Sequence, residues 1–421
     1  MGEIYATIAF LACFVVITFA SNQFGRFFIK TRLPLISAFL FTGVIAGPFV
    51  LGMIPQRALQ SLRFVDETSL AFIAFAAGGE LYMRELTNRL KSIAWVTVGL
   101  VACTFTAGSV VLFVLADYVP FMQDMPTAHR IAVAVLGGSI LVARSPASAI
   151  AVVKELRAKG PFTQTALGVT VIMDGVVITL FAVNSSFADA LLTNMGFDLG
   201  FLSLLLVELL ASLAIAIVVA KVLQFALSLR ANSLFKTAAI LLAGYGVFAL
   251  SSSIRTFSHN HLTVEVLVEP LLICMIASFR VTNYSRYRNE FLKIMHDAGP
   301  PIYVAFFTLT GASLALDVLS QTWLIALSLF VVRLGAIFIG SFSGGAFAGE
   351  PMRQNRFSWM CYVTQAGVAL GLAKEAAVEF PQWGADFATV VISVVVLNQI
   401  IGPPLFKIAI ALAGEAHPRV E

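Results

Sequence analysis

Long apolar runs, separated by short polar connectors, follow one another along the whole chain. Thirteen can be marked, at roughly 4–21, 34–51, 66–80, 92–116, 131–154, 164–184, 199–224, 236–251, 263–280, 300–318, 321–346, 356–375 and 386–412. A helix needs about 20 largely apolar residues to cross a bilayer, and most of these runs approach that length. The third is short, and the fifth, eleventh and twelfth are interrupted by Gly, Pro or charge. No stretch has the mixed polarity of a soluble domain. The pattern predicts an all-α polytopic membrane protein of about thirteen transmembrane helices.

Composition agrees. The 421 residues are 59% hydrophobic and 12% charged, with a mean hydropathy of +0.91. That is about half the charge of an average soluble domain. Cys13, Cys103, Cys274 and Cys361 lie scattered in apolar runs, which argues against a disulfide framework or a thiolate metal site. The first run has no basic stretch before it, so it reads as a retained helix rather than a cleaved leader. Most of the 27 Lys and Arg residues fall in alternate connectors, beginning with Arg26, Lys30 and Arg32 and continuing with Arg84, Arg89 and Lys91. The intervening connectors hold only Arg57, Arg63, Arg130 and Arg255, with Lys374. The positive-inside rule then puts the N-terminus outside and the C-terminus in the cytoplasm of an inner (plasma) membrane. His259 and His261 fall in an outer connector. The chain reads as a single transporter domain over 1–415, with a short cytoplasmic tail at 416–421.

Thirteen spans divide into helices 1–6 (about 4–184), a linker helix 7 (about 199–224) and helices 8–13 (about 236–412). An odd helix between two equal sets makes the second start on the opposite side, which is the arithmetic of two inverted six-helix repeats. The fifth member of each set, helix 5 or helix 12, carries an interruption. One is Ala143-Arg144-Ser145-Pro146 and the other Thr364-Gln365-Ala366-Gly367. Matching broken helices point to a binding site at the membrane midplane.

Asp174 lies in the middle of helix 6, in Val171-Ile172-Met173-Asp174-Gly175. A carboxylate at bilayer depth costs at least about 2.5–3.5 kcal/mol on insertion scales. Such a group holds either a proton or, when ionised, a small cation, and competition for one site couples the two fluxes. The alternative is a carboxylate permanently paired with Arg333 or Arg144. Ser145 followed by Pro146 reads as the N-cap and first residue of a new half-helix, with unwound backbone before it. Its free carbonyls and the hydroxyls of Ser145 and Ser148 suit a hard cation; the alternative is a plain proline kink. Arg144 faces the negative end of the first half-helix and supports it, or competes with the cation. Arg333 in helix 11 gives electrostatic support. Glu265 and Glu269, four apart in helix 9, share a helical face and form either a cation path or an interfacial pair.

The chain resembles the monovalent cation:proton antiporter superfamily, which includes Kef-type and sodium/proton exchanger membrane domains. The resemblance rests on Leu33-Pro34 through Gly52, Phe75 to Leu81, Ser145 to Val153, Phe306-Phe307 with Gly311, Arg333, and Asn398 to Pro403. It implies a homodimer and an elevator-like movement of helices 4–6 and 11–13 against helices 1–3 and 8–10. It makes Asp174 the ion- and proton-carrying aspartate and Arg333 the basic residue of helix 11. Met173 replaces the Asp, Asn or Gln that the family often has before that aspartate, which implies electroneutral one-for-one exchange. Kef-type proteins often carry a cytosolic nucleotide-binding regulatory domain; none follows Ala413 in this sequence, which implies either that such regulation is missing or that the sequence is part of a longer chain. Na⁺ or K⁺ and H⁺ are the expected substrates and the lipid bilayer the expected surrounding. No cofactor, nucleic-acid partner, enzymatic activity or metal beyond the transported cation is expected. The alternative is a transporter of the same fold that uses Arg144 and Arg333 to move an anion or organic solute.

Overall fold

The computed structural model of the chain describes residues 2–28, 35–83, 87–193, 199–261, 268–314 and 316–417. No strand occurs among them. Spans 1 to 4 are Gly2–Phe28, Leu35–Ala46, Arg63–Glu80 and Leu90–Val114. Span 5 is two helices, Thr127–Leu141 and Pro146–Leu156. Spans 6 to 11 are Pro161–Thr193, Leu199–Ser228, Ser233–His261, Pro270–Tyr284, Arg288–Ala312 and Leu316–Ala348. Span 12 is the tight turn Ser358–Tyr362 followed by the helix Gly367–Glu379, and span 13 is Gly384–Ala413. Eight of these regions, in spans 1, 4, 5, 6, 7, 8, 11 and 13, are each long and apolar enough to cross a bilayer.

All thirteen predicted spans are present, and the two interruptions fall in spans 5 and 12. The limits differ where local chemistry overrides hydropathy. Span 2 ends at Ala46, short of the expected 51, because Gly47 precedes Pro48 and the residue before proline is pushed out of helical geometry. Span 10 starts at Arg288, well before the expected 300, and takes in a charged first half that hydropathy rejects. Span 8 continues through His261, so His259 and His261 belong to a helix rather than a connector. Span 9 starts only at Pro270, with Glu269 as its extended N-cap at φ −84°, ψ 107°. The expected helical face shared by Glu265 and Glu269 therefore fails at Glu269, since proline takes the first helical position and forces the residue before it to be extended. Glu265 lies outside the described residues.

The helices gather into two compact units. The first contains residues 1–85 and 206–314, the second residues 86–205 and 315–421. In the first unit, spans 2 and 10 meet backbone to backbone: a Cβ on Gly43 would overlap the Thr308 carbonyl oxygen, and one on Gly311 that of Leu40. Thr308 Oγ1 donates to Ser21 Oγ at 2.8 Å, bringing span 1 to the same place. Phe14, Ile17, Leu62 and Leu309 fill the core between them. Asn283 of span 9 caps the end of span 3, donating to the Leu81 carbonyl at 2.8 Å and accepting from the Met83 N–H at 2.7 Å.

The second unit depends on an equally close approach of spans 4 and 11. A Cβ on Gly340 would overlap the Gly99 carbonyl oxygen, and one on Gly344 that of Trp95. Gly340 and Gly344 are spaced as the small-xxx-small pattern that lets helix backbones touch in lipid. The two pairings also give the register. The helices run antiparallel, and the same offset sets Thr104 of span 4 level with Gly335, two residues from Arg333. Leu112, Ala134, Leu141, Leu329 and Val394 pack a common core from spans 4, 5, 11 and 13. This contact yields a test. Gly344→Val should lower the melting temperature of the purified protein by several degrees, about what 1–3 kcal/mol of overpacking does. Gly335→Ala should not, because nothing lies within 4 Å of a Cβ there. Equal melting temperatures would contradict the backbone contact.

Candidate functional site

The break in span 5 has a local cause. Pro146 cannot continue a helix from the residues before it, and it drives Ser145 extended (φ −109°, ψ 101°). Ser145 Oγ then accepts the Ser148 N–H at 3.3 Å as the N-cap of the second half-helix, and donates to Ser148 Oγ at 3.2 Å. Both serines are buried. In span 12 the turn ends at Tyr362, and Ala366 is out of helical geometry (φ −159°, ψ −130°) before the helix restarts at Gly367.

Each break frees backbone carbonyls at a depth where lipid offers no donor. The protein supplies donors from three side chains, Arg144, Arg333 and Gln365, and one backbone amide. Arg144 curls back, and its Nη1 donates to the Leu141, Val142 and Ala143 carbonyls at 3.2, 2.7 and 2.9 Å. Its Nη2 donates to Thr104 Oγ1 at 3.3 Å. Arg333 spans both breaks. It donates from Nε to Leu141 O at 2.8 Å, from Nη2 to Ala143 O at 2.9 Å, and from Nη1 to Val363 O at 2.7 Å. Nη1 also donates to Asn398 Oδ1 at 2.6 Å. Asn398 in turn donates to Gln365 Oε1 at 2.9 Å, and Gln365 Nε2 reaches the Ile140 carbonyl at 2.9 Å. The Ser145 N–H closes the crossing on Thr364 O at 3.0 Å. Both guanidiniums are 1% exposed. Their charges sit at the negative end of the first half-helix, where cations are stabilised.

Asp174 is buried in span 6. It lies eleven residues from Thr163, or about 16 Å along the helix, close to the middle of a hydrocarbon layer about 30 Å thick. Span 6 turns back on span 5 at 157–160, and Asn184 Nδ2 donates to Ser139 Oγ at 3.1 Å. Ten residues back from Asn184 are about 15 Å. On span 5 the same distance from Ser139 passes the break and reaches the first turn of the second half-helix, the turn of Ser145 and Ser148. The second unit thus brings Ser145, Ser148, Arg144, Arg333, Pro146, Thr364, Gln365 and Gly367 to one crossing, with Asp174 at its level. Glu269 belongs to the first unit.

Several functional-looking groups have no local sequence signal. Thr104, as partner of Arg144, and Asn398, as the joint between Arg333 and Gln365, are revealed only by packing. Glu415 is a third case. Its carboxylate accepts from the Phe162 N–H at 2.9 Å and from the Thr163 N–H and hydroxyl, each at 2.7 Å. An anion so placed caps the positive N-terminus of span 6, from more than 250 residues away. The Lys159 N–H donates to the Glu415 carbonyl at 3.1 Å and the His417 N–H to Leu156 O at 2.8 Å, strapping the tail across the turn that leads into the Asp174 helix.

Two helices broken at membrane depth and crossing at their breaks, beside a buried carboxylate, are the architecture of a secondary transporter. The chain belongs to the family of transmembrane sodium/hydrogen exchangers, whose profile matches residues 11–412. It is a multi-pass membrane protein. Among similar proteins, the Na(+)/H(+)-K(+) antiporter GerN of Bacillus cereus is 23% identical over 401 residues, covering 93% of this chain and 94% of its own. The probable Na(+)/H(+) antiporter GerT of Bacillus cereus is 24% identical over 374 residues, covering 85% and 88%. The fold matches that of the sodium proton antiporter MjNhaP1 from Methanocaldococcus jannaschii with a TM-score of 0.72 at 16% identity, over 97% of this chain and 99% of that one.

The division of labour at the crossing is testable. The Leu141 and Ala143 carbonyls are held by both arginines, so Arg333→Met takes the donor from Val363 O and Asn398 Oδ1 and loosens the tie between the breaks, whereas Arg144→Met takes it from Val142 O and the more distant Thr104 hydroxyl. With about 1–3 kcal/mol for each buried acceptor left unpaired, the first should lower the melting temperature in detergent more than the second. Equal losses would contradict the assignment.

Proposed function

We propose that the protein is a secondary active antiporter that exchanges a monovalent cation, Na⁺ or K⁺, for H⁺, with Asp174 as the group both compete for. The observation that carries this is a carboxylate buried in the middle of span 6, level with the capped start of a half-helix that presents the Ser145 and Ser148 hydroxyls. Cation and proton exclude each other there, so each crossing of the loaded carrier moves one or the other. The names of the two Bacillus relatives agree with these substrates. Arg144 and Arg333 turn their donors on backbone carbonyls and act as structural support, which argues against the alternative of an anion or organic solute held by guanidiniums.

Met173 is buried and brings no second carboxylate, so exchange is one cation for one proton and electroneutral. The crossing lies wholly within one compact unit. That supports an elevator-like movement in which this unit carries the ion and the other anchors a homodimer. The Lys/Arg distribution supports an inner (plasma) membrane location, N-terminus outside and C-terminus cytoplasmic.

Proteoliposomes with an internal pH dye test the reading. Added Na⁺ or K⁺ should move protons in the native protein and leave them still in Asp174→Asn; proton movement that survives the substitution overturns the proposal. Setting the membrane potential with valinomycin should leave the rate unchanged if exchange is electroneutral, and a rate that follows the potential contradicts that part.

A further inference from the structure

Gln399 is buried (2% exposed) on span 13, and neither its amide oxygen nor its amide nitrogen has a hydrogen-bond partner among the described residues. A primary amide at bilayer depth with both ends unsatisfied is unfavourable unless it serves a ligand. Its neighbour Asn398 differs, because it is committed to Arg333 and Gln365.

Helix geometry shows where Gln399 points. Lys407 Nζ of span 13 pairs with Glu155 Oε1 of the second half of span 5 at 2.9 Å, fixing their register. Eight residues back along both helices, about 12 Å, Gln399 is level with Ala147, in the first turn of that half-helix and next to Ser148. On the other side, a Cβ on Gly402 would meet Thr364 in the break of span 12. At 100° per residue, Gln399 falls between the directions of Gly402 and Lys407. It therefore faces the gap between the break of span 12 and the start of the second half-helix of span 5. Thr364 Oγ1, fully buried, is likewise without a partner among the described residues. Two uncommitted oxygen ligands thus stand at the depth of Asp174.

We infer that Gln399 is a residue of the cation site: its amide oxygen, with Thr364 Oγ1, ligates the dehydrated alkali cation and sets which cation is preferred. This rests on the antiport reading, with Asp174 supplying the charge. A neutral amide oxygen suits an alkali cation because it replaces one water of hydration without adding a charge.

The experiment measures apparent KM for Na⁺ and for K⁺ in proteoliposomes, and the thermal shift each cation gives the purified protein, for the native chain, Gln399→Met and Gln399→Glu. Methionine keeps the volume and removes both polar ends. The Met variant should raise KM about tenfold or more for at least one cation, change the Na⁺/K⁺ ratio and reduce the cation-dependent thermal shift. Unchanged KM, ratio and shift overturn the inference. If the Met variant does not fold, the Glu variant decides: a charge added at the site should alter cation affinity and the pH profile, and leaving both as in the native chain overturns the inference. Asp174→Asn separates the two layers. Transport that survives it removes the reading beneath, whereas transport lost in Asp174→Asn with an unmoved Gln399→Met overturns this inference alone.

Discussion

Breaking a helix inside a membrane leaves backbone carbonyls with no water to satisfy them, and the second unit is organised around that need. Ile140, Leu141, Val142, Ala143, Val363 and Thr364 all receive donors from Arg144, Arg333, Gln365 or the Ser145 amide. An unpaired acceptor at such a site costs about 1–3 kcal/mol, so the whole set is comparable to the entire margin of a typical fold. Two arginines are at first sight the least suited residues for a bilayer core. They are tolerated because their terminal nitrogens donate to the freed carbonyls and to Thr104 and Asn398, and their charge meets the negative end of a half-helix.

The remaining features follow from holding that crossing in place. Gly340 and Gly344 let span 11 approach span 4 closely enough for Arg333 and Thr104 to reach the same break. Glu415 fixes the start of span 6, and so the height of Asp174, by capping the helix through two backbone amides and a hydroxyl. The crossing thereby supplies two things at one depth: a rigid frame in which backbone polarity is satisfied, and a residual set of oxygens that is not consumed by the frame. Thr364 Oγ1 and the Gln399 amide belong to the second set, the capping hydroxyls of Ser145 and Ser148 lie at the same level, and Asp174 provides the charge of the proposed site.

Much of this was legible in the sequence because the signals are local. Ser145-Pro146 announces a cap and a restart within a buried run, and a lone Asp174 in a helix of Val, Ile and Thr stands out on cost alone. The Lys/Arg alternation supported the count of thirteen. The misreadings came where hydropathy was allowed to outrank turn chemistry. Pro270 marks the first residue of span 9 by the ordinary preference of proline for that position, yet the apolar residues before it drew the predicted start back to 263. The charged stretch from Arg288 to Asp297 hid the first half of span 10. The Glu415 cap, the Thr104 contact and the Asn398–Gln365 joint were not legible, because each depends on residues brought together only by packing between distant helices.

The central claim is that cation and proton compete for one buried carboxylate. Calorimetry of cation binding to the purified protein, in two buffers of different ionisation enthalpy, counts the protons released. Binding of Na⁺ or K⁺ at a pH where Asp174 is protonated should release close to one proton per cation, and the release should vanish in Asp174→Asn. Cation binding to the native protein with no proton released would contradict the account.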